Sequence, residues 1–413
     1  MFAFIARQPI LDRKKEVFAY ELFFRDGKNN CFPNVQKDEA TSKLITKNYQ
    51  TLELDDISCS KKSFINFQPE TLISGLPAFL DPENVIVELV VGKSDENRLL
   101  DTCKHVKKMG YKIALEDCNL EPRWNQFLPF VDILKVNTQR ENIDFLAKNM
   151  NRFTDANVQL IADKVETQES FTIFRDMGFD YFQGYFFVRP ESVSNKNLPT
   201  SKLALVELIG ASSSESFDIE GINSVVEHDA GLSYMLLRFI NNPTINKRHK
   251  ITSLRHALNY MGEVEIKKFV ALLAMANLSD DKPIELIHLS LVRAKFCDLL
   301  GTEKGIGINP PTAYLVGLFS VLDALLDQNM ELLIEKLPVV DDIKIALCGG
   351  QNNLSMYLLL AKAFESSNWL KIIRISKFLE IDQIRLHSLF NEAILWSNGI
   401  RRSISPHFPL TIA

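Results

Sequence analysis

The 413-residue sequence predicts two domains, a (β/α)8 barrel followed by an all-helical domain. Residues 1 to about 190 alternate short runs rich in Val, Ile, Leu and Phe with helix-like stretches, which is typical of α/β folds. Only six residues, LDRKKE, separate the first two runs. Beyond residue 201 helical periodicity continues almost everywhere, and we find no strand-like run.

Eight runs are short and mostly apolar, as strands buried on both faces are. They lie at Phe4–Ile10, Val17–Phe23, Ser63–Phe67, Val85–Val91, Lys112–Leu115, Ile133–Val136, Val158–Ala162 and Tyr181–Phe186. Amphipathic stretches such as Glu96–Met109 and Gln168–Met177 are followed by Gly and the next strand, a pattern of βαβ units. Because Leu11–Glu16 is too short for a crossover helix, the first two strands are predicted to form an antiparallel hairpin. The barrel's first strand should therefore run against the others.

A polar segment, SVSNKNLPTS at 192–201, is predicted to link the barrel domain, residues 1–191, to the helical domain, residues 202–413. The helical domain contains several long amphipathic runs. They include Ile266–Ala276, Ile284–Leu300, Thr312–Leu326, Leu354–Phe364 and Gln383–Trp396.

Composition argues against several classes of protein. A net charge of −5 lacks the basic footprint of nucleic-acid binding. No stretch approaches the roughly eighteen apolar residues of a membrane span, and Arg7 comes too early for a signal-peptide core. The six cysteines include no C-x-x-C pair, which argues against a zinc site or a disulfide framework. We therefore expect a cytoplasmic protein with reduced thiols, with neither nucleic acid nor membrane as a partner.

Polar side chains lie at or near the ends of seven successive predicted strands. They are Glu21, Asn66, Glu88, Glu116 with Asp117, Lys135, Asp163 and Gln183. In a parallel barrel these ends meet at one mouth, where functional residues gather. Converging carboxylates repel one another unless cations neutralise them, and hard oxygen ligands favour Mg²⁺, Mn²⁺ or Ca²⁺.

This set of side chains is suited to phosphodiester hydrolysis. Two such ions about 3.5–4 Å apart could activate a water for in-line attack on a phosphodiester. Lys135 could hold that water and offset phosphate charge. Purely structural interpretations stay open: Glu88 as a solvated strand-end charge, Asn66 as a hydrogen-bond partner for loop backbone, and Lys135 as a structural counter-ion.

Segments in the same order along residues 1–190 resemble motifs of the EAL family, the cyclic di-GMP phosphodiesterase domain of bacterial signalling proteins. Glu21–Arg25, ELFFR, resembles the E-A-L-x-R signature, and Gln183–Pro190 resembles Q-G-Y-x-F-x-x-P. The other segments are Gln8–Ile10, Phe64–Asn66, Val87–Leu89, Ala114–Asp117 at A-L-D-D, Lys135–Asn137 at K-I-D and Ala162–Glu166 at A-E-G-V-E.

The resemblance implies a role for each matching residue. The implied metal ligands or their close supports are Glu21, Asn66, Glu88, Glu116, Asp117 and Asp163, holding Mg²⁺ or Mn²⁺. Lys135 and Gln183 would order the water, so that Lys135, Glu21, Asp163 and Gln183 form the catalytic set. Gln8, Arg25 and Arg189 would face cyclic di-GMP.

Departures from the family pattern weaken the catalytic case. Glu116 replaces Asp and Asp163 replaces Glu, and each change moves a carboxylate by about 1.5 Å. The glycines of the D-F-G-T-G loop are missing after Asp117. We therefore expect weak or absent catalysis in a module that could still bind the nucleotide. An active Mg/Mn-dependent phosphodiesterase producing linear pGpG is the alternative.

The helical half resembles an HDOD domain. Val225–Arg238 resembles its D-P-x-L-x-x-x-L-L-R helix pair, and Ile251–Gly262 resembles its I-x-S-x-x-x-A-L-x-x-L-G segment. The fusion resembles the YuxH-like EAL–HDOD proteins of bacterial cyclic di-GMP signalling. This resemblance implies a surface for signalling proteins, and the sequence is compatible with a homodimer. A pure interaction scaffold without nucleotide binding is a second alternative.

Overall fold

The structure, a computed structural model, describes residues 4–25, 54–67, 72, 80–90, 96–116, 122–140, 143–190, 200–215, 218, 220, 230–242, 250–278 and 282–404. The chain forms two compact units, Met1–Phe187 and Val188–Ala413. The predicted linker begins within 191–199, outside the described residues, and the first helix of the second unit begins at Thr200. The exact domain bounds therefore stay predictions.

Eight strands close the first unit into a barrel in chain order. They are β1 Phe4–Asp12, β2 Val17–Arg25, β3 Lys62–Phe67, β4 Val85–Val90, β5 Lys112–Glu116, β6 Ile133–Asn137, β7 Gln159–Asp163 and β8 Tyr181–Gln183. β1 is antiparallel to both β2 and β8, while the other neighbouring pairs are parallel. The predicted barrel with a reversed first strand is thus confirmed.

Helices accompany the strands of the barrel. They are α1 Leu54–Ile57, α2 Glu96–Lys108, α3 Ile143–Asp155 and α4 Gln168–Met177. Between β5 and β6 the described chain forms two short 3-10 helices, Pro122–Gln126 and Leu128–Phe130.

The eighth strand is shorter than predicted. β8 ends at Gln183, because Gly184 has a φ of 144° that turns the chain out of the sheet. Residues predicted as strand then form a 3-10 helix, Phe186–Val188. Two site residues also lie within their strands rather than at the ends, since β2 continues past Glu21 and β6 past Lys135.

One inward-pointing side chain from each of seven strands forms an apolar layer inside the barrel, which we call the floor. Its members are Ile10, Ala19, Phe64, Ile86, Ala114, Ile133 and Ile161, and none is more than 1% exposed. Phe18 and Tyr181, whose rings stack 3.9 Å apart, pack against the floor. Because strand side chains alternate faces, the next inward position on each strand lies directly above this floor.

Acidic residues just before two strands fix the register at the base of the barrel. Asp132 accepts a hydrogen bond from the Ile113 N–H at 2.9 Å, and it forms an ion pair with Lys107 at 2.7 Å. Asp180 accepts in the same way from the Leu160 N–H at 2.8 Å. Each carboxylate satisfies the backbone N–H of the second residue of a neighbouring strand.

The described part of the second unit is helical. Its helices are α5 Thr200–Ser213, α6 Ala230–Ile240, α7 Leu254–Asn277, α8 Ile284–Lys304, α9 Thr312–Phe319, α10 Leu322–Leu326, α11 Met330–Lys336, α12 Asp341–Leu347, α13 Asn353–Glu365, α14 Trp369–Leu379 and α15 Gln383–Ile404. None of the helices that the structure describes is long and apolar enough to cross a membrane. The predicted all-helical second half is confirmed at this level.

One predicted helix, Thr312–Leu326, is split into α9 and α10. At the break the Ser320 hydroxyl donates to the Gly317 carbonyl at 2.7 Å and accepts from Arg293 at 3.0 Å. Arg293 is buried and donates to both carboxylate oxygens of Glu365 at 2.8 Å. The chain bends here because a buried guanidinium must have its donors satisfied.

Gly184 should be irreplaceable in the barrel. A Cβ at this position would lie 2.1 Å from the Val165 carbonyl oxygen and 2.6 Å from its nitrogen, both backbone atoms. We expect Gly184→Ala to lower the free energy of unfolding by about 3 kcal/mol or more, measured by denaturant unfolding of the full chain.

Gly110→Ala is the matched control, because Gly110 also has a positive φ, 89°, but its nearest neighbour would be Pro82 Cβ at 3.9 Å. Its loss should be limited to about 1–2 kcal/mol of backbone strain. Equal losses for the two variants would show that the contact with Val165 is not the cause.

Candidate functional site

The predicted site residues lie one inward position above the floor. Each stands two residues after a floor residue or Tyr181 on its own strand: Glu21, Asn66, Glu88, Glu116, Lys135, Asp163 and Gln183. On the reversed strand β1 the order is opposite, so Gln8 precedes Ile10 and pairs with Glu21 across the sheet. Alternation along eight strands therefore brings these side chains into the mouth of one barrel.

The Glu21 carboxylate is the centre of the site. Its Oε1 accepts from Asn66 Nδ2 at 2.8 Å, and its Oε2 accepts from Lys135 Nζ and Gln183 Nε2, both at 2.6 Å. Side chains from three other strands thus hold this carboxylate, which is 2% exposed. Such charge-assisted bonds fix its orientation closely.

Lys135 joins two carboxylates that lie on different strands. Its ammonium donates to Glu88 Oε1 at 2.8 Å as well as to Glu21, and Glu116 Oε1 lies 3.9 Å away. Lys135 and Glu88 are buried, whereas 24% of the Glu116 side chain is exposed. Gln183 Nε2 also donates to Gln8 Oε1 at 3.1 Å, which ties β1 to the network.

Among the residues described at the mouth, the acidic side chains outnumber the one buried ammonium, that of Lys135. Burial raises the pKa of Glu88 well above its usual value, and the Glu21 charge raises it further against the opposing effect of Lys135. Burial likewise raises the pKa of Asp163. Burial lowers the pKa of Lys135, but the carboxylates of Glu21, Glu88, Glu116 and Asp163 outweigh it and hold this pKa well above its usual value.

Three buried oxygens at the mouth have no hydrogen-bond partner within the described part of the chain. They are Asn66 Oδ1, Glu88 Oε2 and Gln183 Oε1. A buried acceptor without a partner costs about 1–3 kcal/mol. Hard oxygen donors beside excess negative charge fit a Mg²⁺ or Mn²⁺ ion.

The carboxylates alone do not complete a metal cage. Among the described residues no group of three His, Cys, Asp or Glu side chains is placed to hold an ion. A cation here would therefore need amide oxygens such as Asn66 Oδ1, or water, in addition to carboxylates. Asp117, also predicted as a ligand, lies outside the described residues.

The predicted nucleotide-binding residues are less well defined. Gln8 is half-buried and belongs to the network at Gln183. Arg25 ends β2, but its side chain lies outside the described residues. Arg189 is exposed just after the final 3-10 helix. The individual roles of these and the metal-site residues stay predictions.

Two residues next to Asp163 contribute to the site although the sequence did not predict them. The Thr138 N–H and hydroxyl both donate to the Asp163 carbonyl, at 3.0 and 2.8 Å, and so hold the end of β7. Lys164 has a φ of 60° at the position of Gly in A-E-G-V-E. That Gly was the available signal that this backbone must adopt the left-handed region.

Comparison with known proteins identifies both halves of the chain. The EAL domain model matches residues 125–190, and the HDOD domain model matches residues 198–328. The cyclic di-GMP phosphodiesterase CdgJ of Vibrio cholerae is 35% identical over 410 residues, which cover 97% of this chain and 94% of CdgJ. The uncharacterized protein YuxH of Bacillus subtilis is 31% identical over 408 residues, which cover 97% of this chain and 99% of YuxH.

Solved structures also resemble part of the chain. One is Klebsiella pneumoniae BlrP1 in a manganese/cy-diGMP complex, with 19% identity and a TM-score of 0.34, covering 44% of this chain and 54% of BlrP1. Another is the c-di-GMP-bound form of a standalone versatile EAL protein from Vibrio cholerae O395, with 23% identity and a TM-score of 0.32, covering 45% of this chain and 90% of that protein.

The sequence relationship extends over nearly the whole length of the chain and of both curated relatives. The domain matches fall on the barrel and on the helical half in the predicted order. The chain therefore belongs to the EAL–HDOD family of bacterial cyclic di-GMP signalling proteins.

Proposed function

We propose that the barrel is a slow, divalent-cation-dependent phosphodiesterase that opens cyclic di-GMP to the linear dinucleotide. The observation that carries this proposal is the Glu21 network, in which three side chains orient one carboxylate. Around it, buried oxygens of Asn66, Glu88 and Gln183 have no partner among the described residues. The full-length similarity to CdgJ, which is named a cyclic di-GMP phosphodiesterase, supports the same reaction.

The chain's own residues would position the reactants. Mg²⁺ or Mn²⁺ held by oxygens of Glu21, Asn66 and Glu88, with Asp163, would lower the pKa of a bound water and offset phosphate charge. Lys135 bridges the Glu21 and Glu88 carboxylates through its ammonium. It also adds positive charge where an anionic phosphodiester would bind. Gln8, Arg25 and Arg189 would then contact the nucleotide.

Low turnover follows from the two acidic residues whose side-chain lengths differ from the family pattern. Glu116 and Asp163 each place their carboxylate about 1.5 Å from the family position, whereas catalytic groups tolerate about 0.5 Å. Glu116 is also partly exposed, and its Oε1 lies 3.9 Å from Lys135 Nζ, whereas Glu21 Oε2 lies 2.6 Å from it.

Nucleotide binding without turnover is the second candidate. It is favoured by the finding that no three acidic, imidazole or thiol groups in the described chain are placed to hold an ion. In that case the barrel would report cyclic di-GMP to signalling proteins that bind the HDOD domain.

Hydrolysis can be tested with the purified full chain, cyclic di-GMP and Mn²⁺, with the linear product followed by chromatography. We expect slow conversion that EDTA abolishes and that Glu21→Gln lowers about 100-fold or more, because the central carboxylate is lost. Glu16→Gln, an exposed position on the same hairpin, is the control and should retain turnover. Binding of cyclic di-GMP without any linear product would contradict the proposal and favour the second candidate.

Restoring the side-chain lengths of the family motif at Glu116 and Asp163 should accelerate the reaction. We expect the double variant Glu116→Asp, Asp163→Glu to raise kcat at least about tenfold. Both carboxylates would then return to the positions that the family motif gives them. Each single variant should give a smaller gain, measured in the same assay. Unchanged or lower kcat in the double variant would show that residue length does not limit turnover.

Replacing Glu88 with Gln should have opposite effects on stability without and with a bound cation. A folded-state pKa above the unfolded one means that the cation-free barrel loses stability as pH rises from the usual carboxyl pKa through the raised value. Glu88→Gln lacks this charge, so its melting temperature in EDTA should exceed that of the wild type by an amount that grows with pH.

Added Mn²⁺ should reverse this order. A saturating cation at about 100 times its Kd stabilises the wild type by about 2.7 kcal/mol, and the variant should lose most of that gain. Glu83→Gln, at an exposed position just before β4, should follow the wild type in both media. A variant that is less stable in EDTA and equally stabilised by Mn²⁺ would contradict this account.

A further inference from the structure

Helix α14 presents an exposed face that combines bases with large apolar side chains, which we call the basic face. Leu370 is 71% exposed and Phe378 65% exposed, and between them Lys371, Arg374 and Lys377 are exposed. Spacings of three, four and eight residues put these side chains on one side of the helix.

None of the three bases forms an ion pair with any residue that the structure describes. The other side of α14 packs into the core through Ile372, Ile375 and Leu379.

Helices α11 and α12 present an exposed face of opposite charge, which we call the acidic face. It carries Glu331, Leu332 and Glu335 from α11 and Asp341, Asp342 and Ile345 from α12. Leu332 is 42% exposed and Ile345 is 41% exposed, so apolar side chains again stand among the charges. Lys336 is exposed on α11 and Lys344 lies 4.0 Å from Asp341, which leaves the face net acidic.

Helix α13 contacts helices from both faces. It packs against α12 and α14, and also against α8 and α9. Midway along α13, Leu359 is 50% exposed. Three helices in contact therefore carry the acidic side chains of α12, the exposed Leu359 and Lys362 of α13, and the basic face of α14.

We propose that a second copy of this chain docks on this surface, with a two-fold axis running along α13. A rotation of 180° about such an axis places the acidic face of each copy on the basic face of the other. The two Leu359 side chains meet near the axis, and Leu370 and Phe378 pack among the apolar side chains of α11 and α12. The contact is independent of the chemistry at the barrel mouth.

Charge and area favour a second copy over other occupants. The complementary faces occur in the same chain, and two-fold pairing uses both of them twice. One helix face alone buries too little surface for the roughly 1,000 Å² that a specific interface needs. An anionic lipid surface could attract the basic face, but it would repel the acidic face and a chain whose net charge is −5.

Sedimentation velocity of the full chain tests the proposal at about 50 mM and about 500 mM NaCl. We expect a reversible dimer at low salt whose Kd rises at least about tenfold at high salt, because exposed charges are screened. Reversing the basic face with K371E, R374E and K377E should weaken association at least about tenfold. Reversing the acidic face with E331K, E335K and D342K should do the same.

A mixture of the two reversed chains provides the decisive measurement. One chain then has two acidic faces and the other two basic faces, so they should form a heterodimer although neither forms a homodimer. The charge-matched control K61E, K108E and K148E changes three exposed lysines of the barrel and should associate like the wild type. Unchanged melting temperatures establish that every variant is folded.

Three results would overturn the proposal. They are a wild type that stays monomeric at low salt, an association unaffected by reversing either face, and a mixture of reversed chains that fails to pair. Binding of the basic face to anionic vesicles by a monomeric wild type would instead assign that face to a lipid surface.

Discussion

Closure of the barrel requires every strand to turn alternate side chains towards one interior. That constraint determines the site. The floor occupies one inward position on seven strands, and the polar residues occupy the next one. Because β1 is reversed, its next inward position towards the mouth lies earlier in the chain, so that Gln8 meets Gln183 and pairs with Glu21. A one-residue slip of any strand would turn its polar side chain outwards and an apolar one into the mouth.

The same geometry creates an electrostatic problem that the barrel only partly solves. Several carboxylates converge above an apolar floor, and Lys135 is the one ammonium buried among them in the described structure. Its long side chain reaches both Glu21 and Glu88, which makes it the internal counter-ion. Burial, together with the Glu21 charge, raises the pKa of Glu88 despite the opposing effect of Lys135. A purely structural core gains nothing from such an arrangement, since well-packed apolar residues are usually at least as stable. The excess of acceptors is intelligible if the mouth binds a cation and an anionic ligand.

Much of this architecture was accessible from the sequence because the signals were local. Apolar runs predicted the eight strands, and the six residues between the first two predicted the reversed strand. The inward polar positions were predicted from their places near strand ends. Details that depend on tertiary contacts were not accessible. The end of β8 depends on the close approach of Gly184 to Val165, and the break at Ser320 depends on Arg293, which is distant in sequence. The hydrogen bonds at Glu21 depend on side chains from four strands, which no local pattern specifies.

The two units differ in where their distinctive residues lie relative to the family models. In the barrel, the EAL match at 125–190 includes Lys135, Asp163 and Gln183, whereas Glu21, Asn66 and Glu88 lie before it. In the helical unit, the HDOD match ends at residue 328, whereas α11 to α14 follow it. CdgJ and YuxH nevertheless align with almost the whole chain, so both outlying parts belong to the shared architecture. The chemistry of the mouth requires side chains from inside and outside the EAL match, because closing the barrel is what brings them together. By the same reasoning, α12 of the acidic face and α14 of the basic face both pack against α13, and all three helices lie beyond the HDOD match.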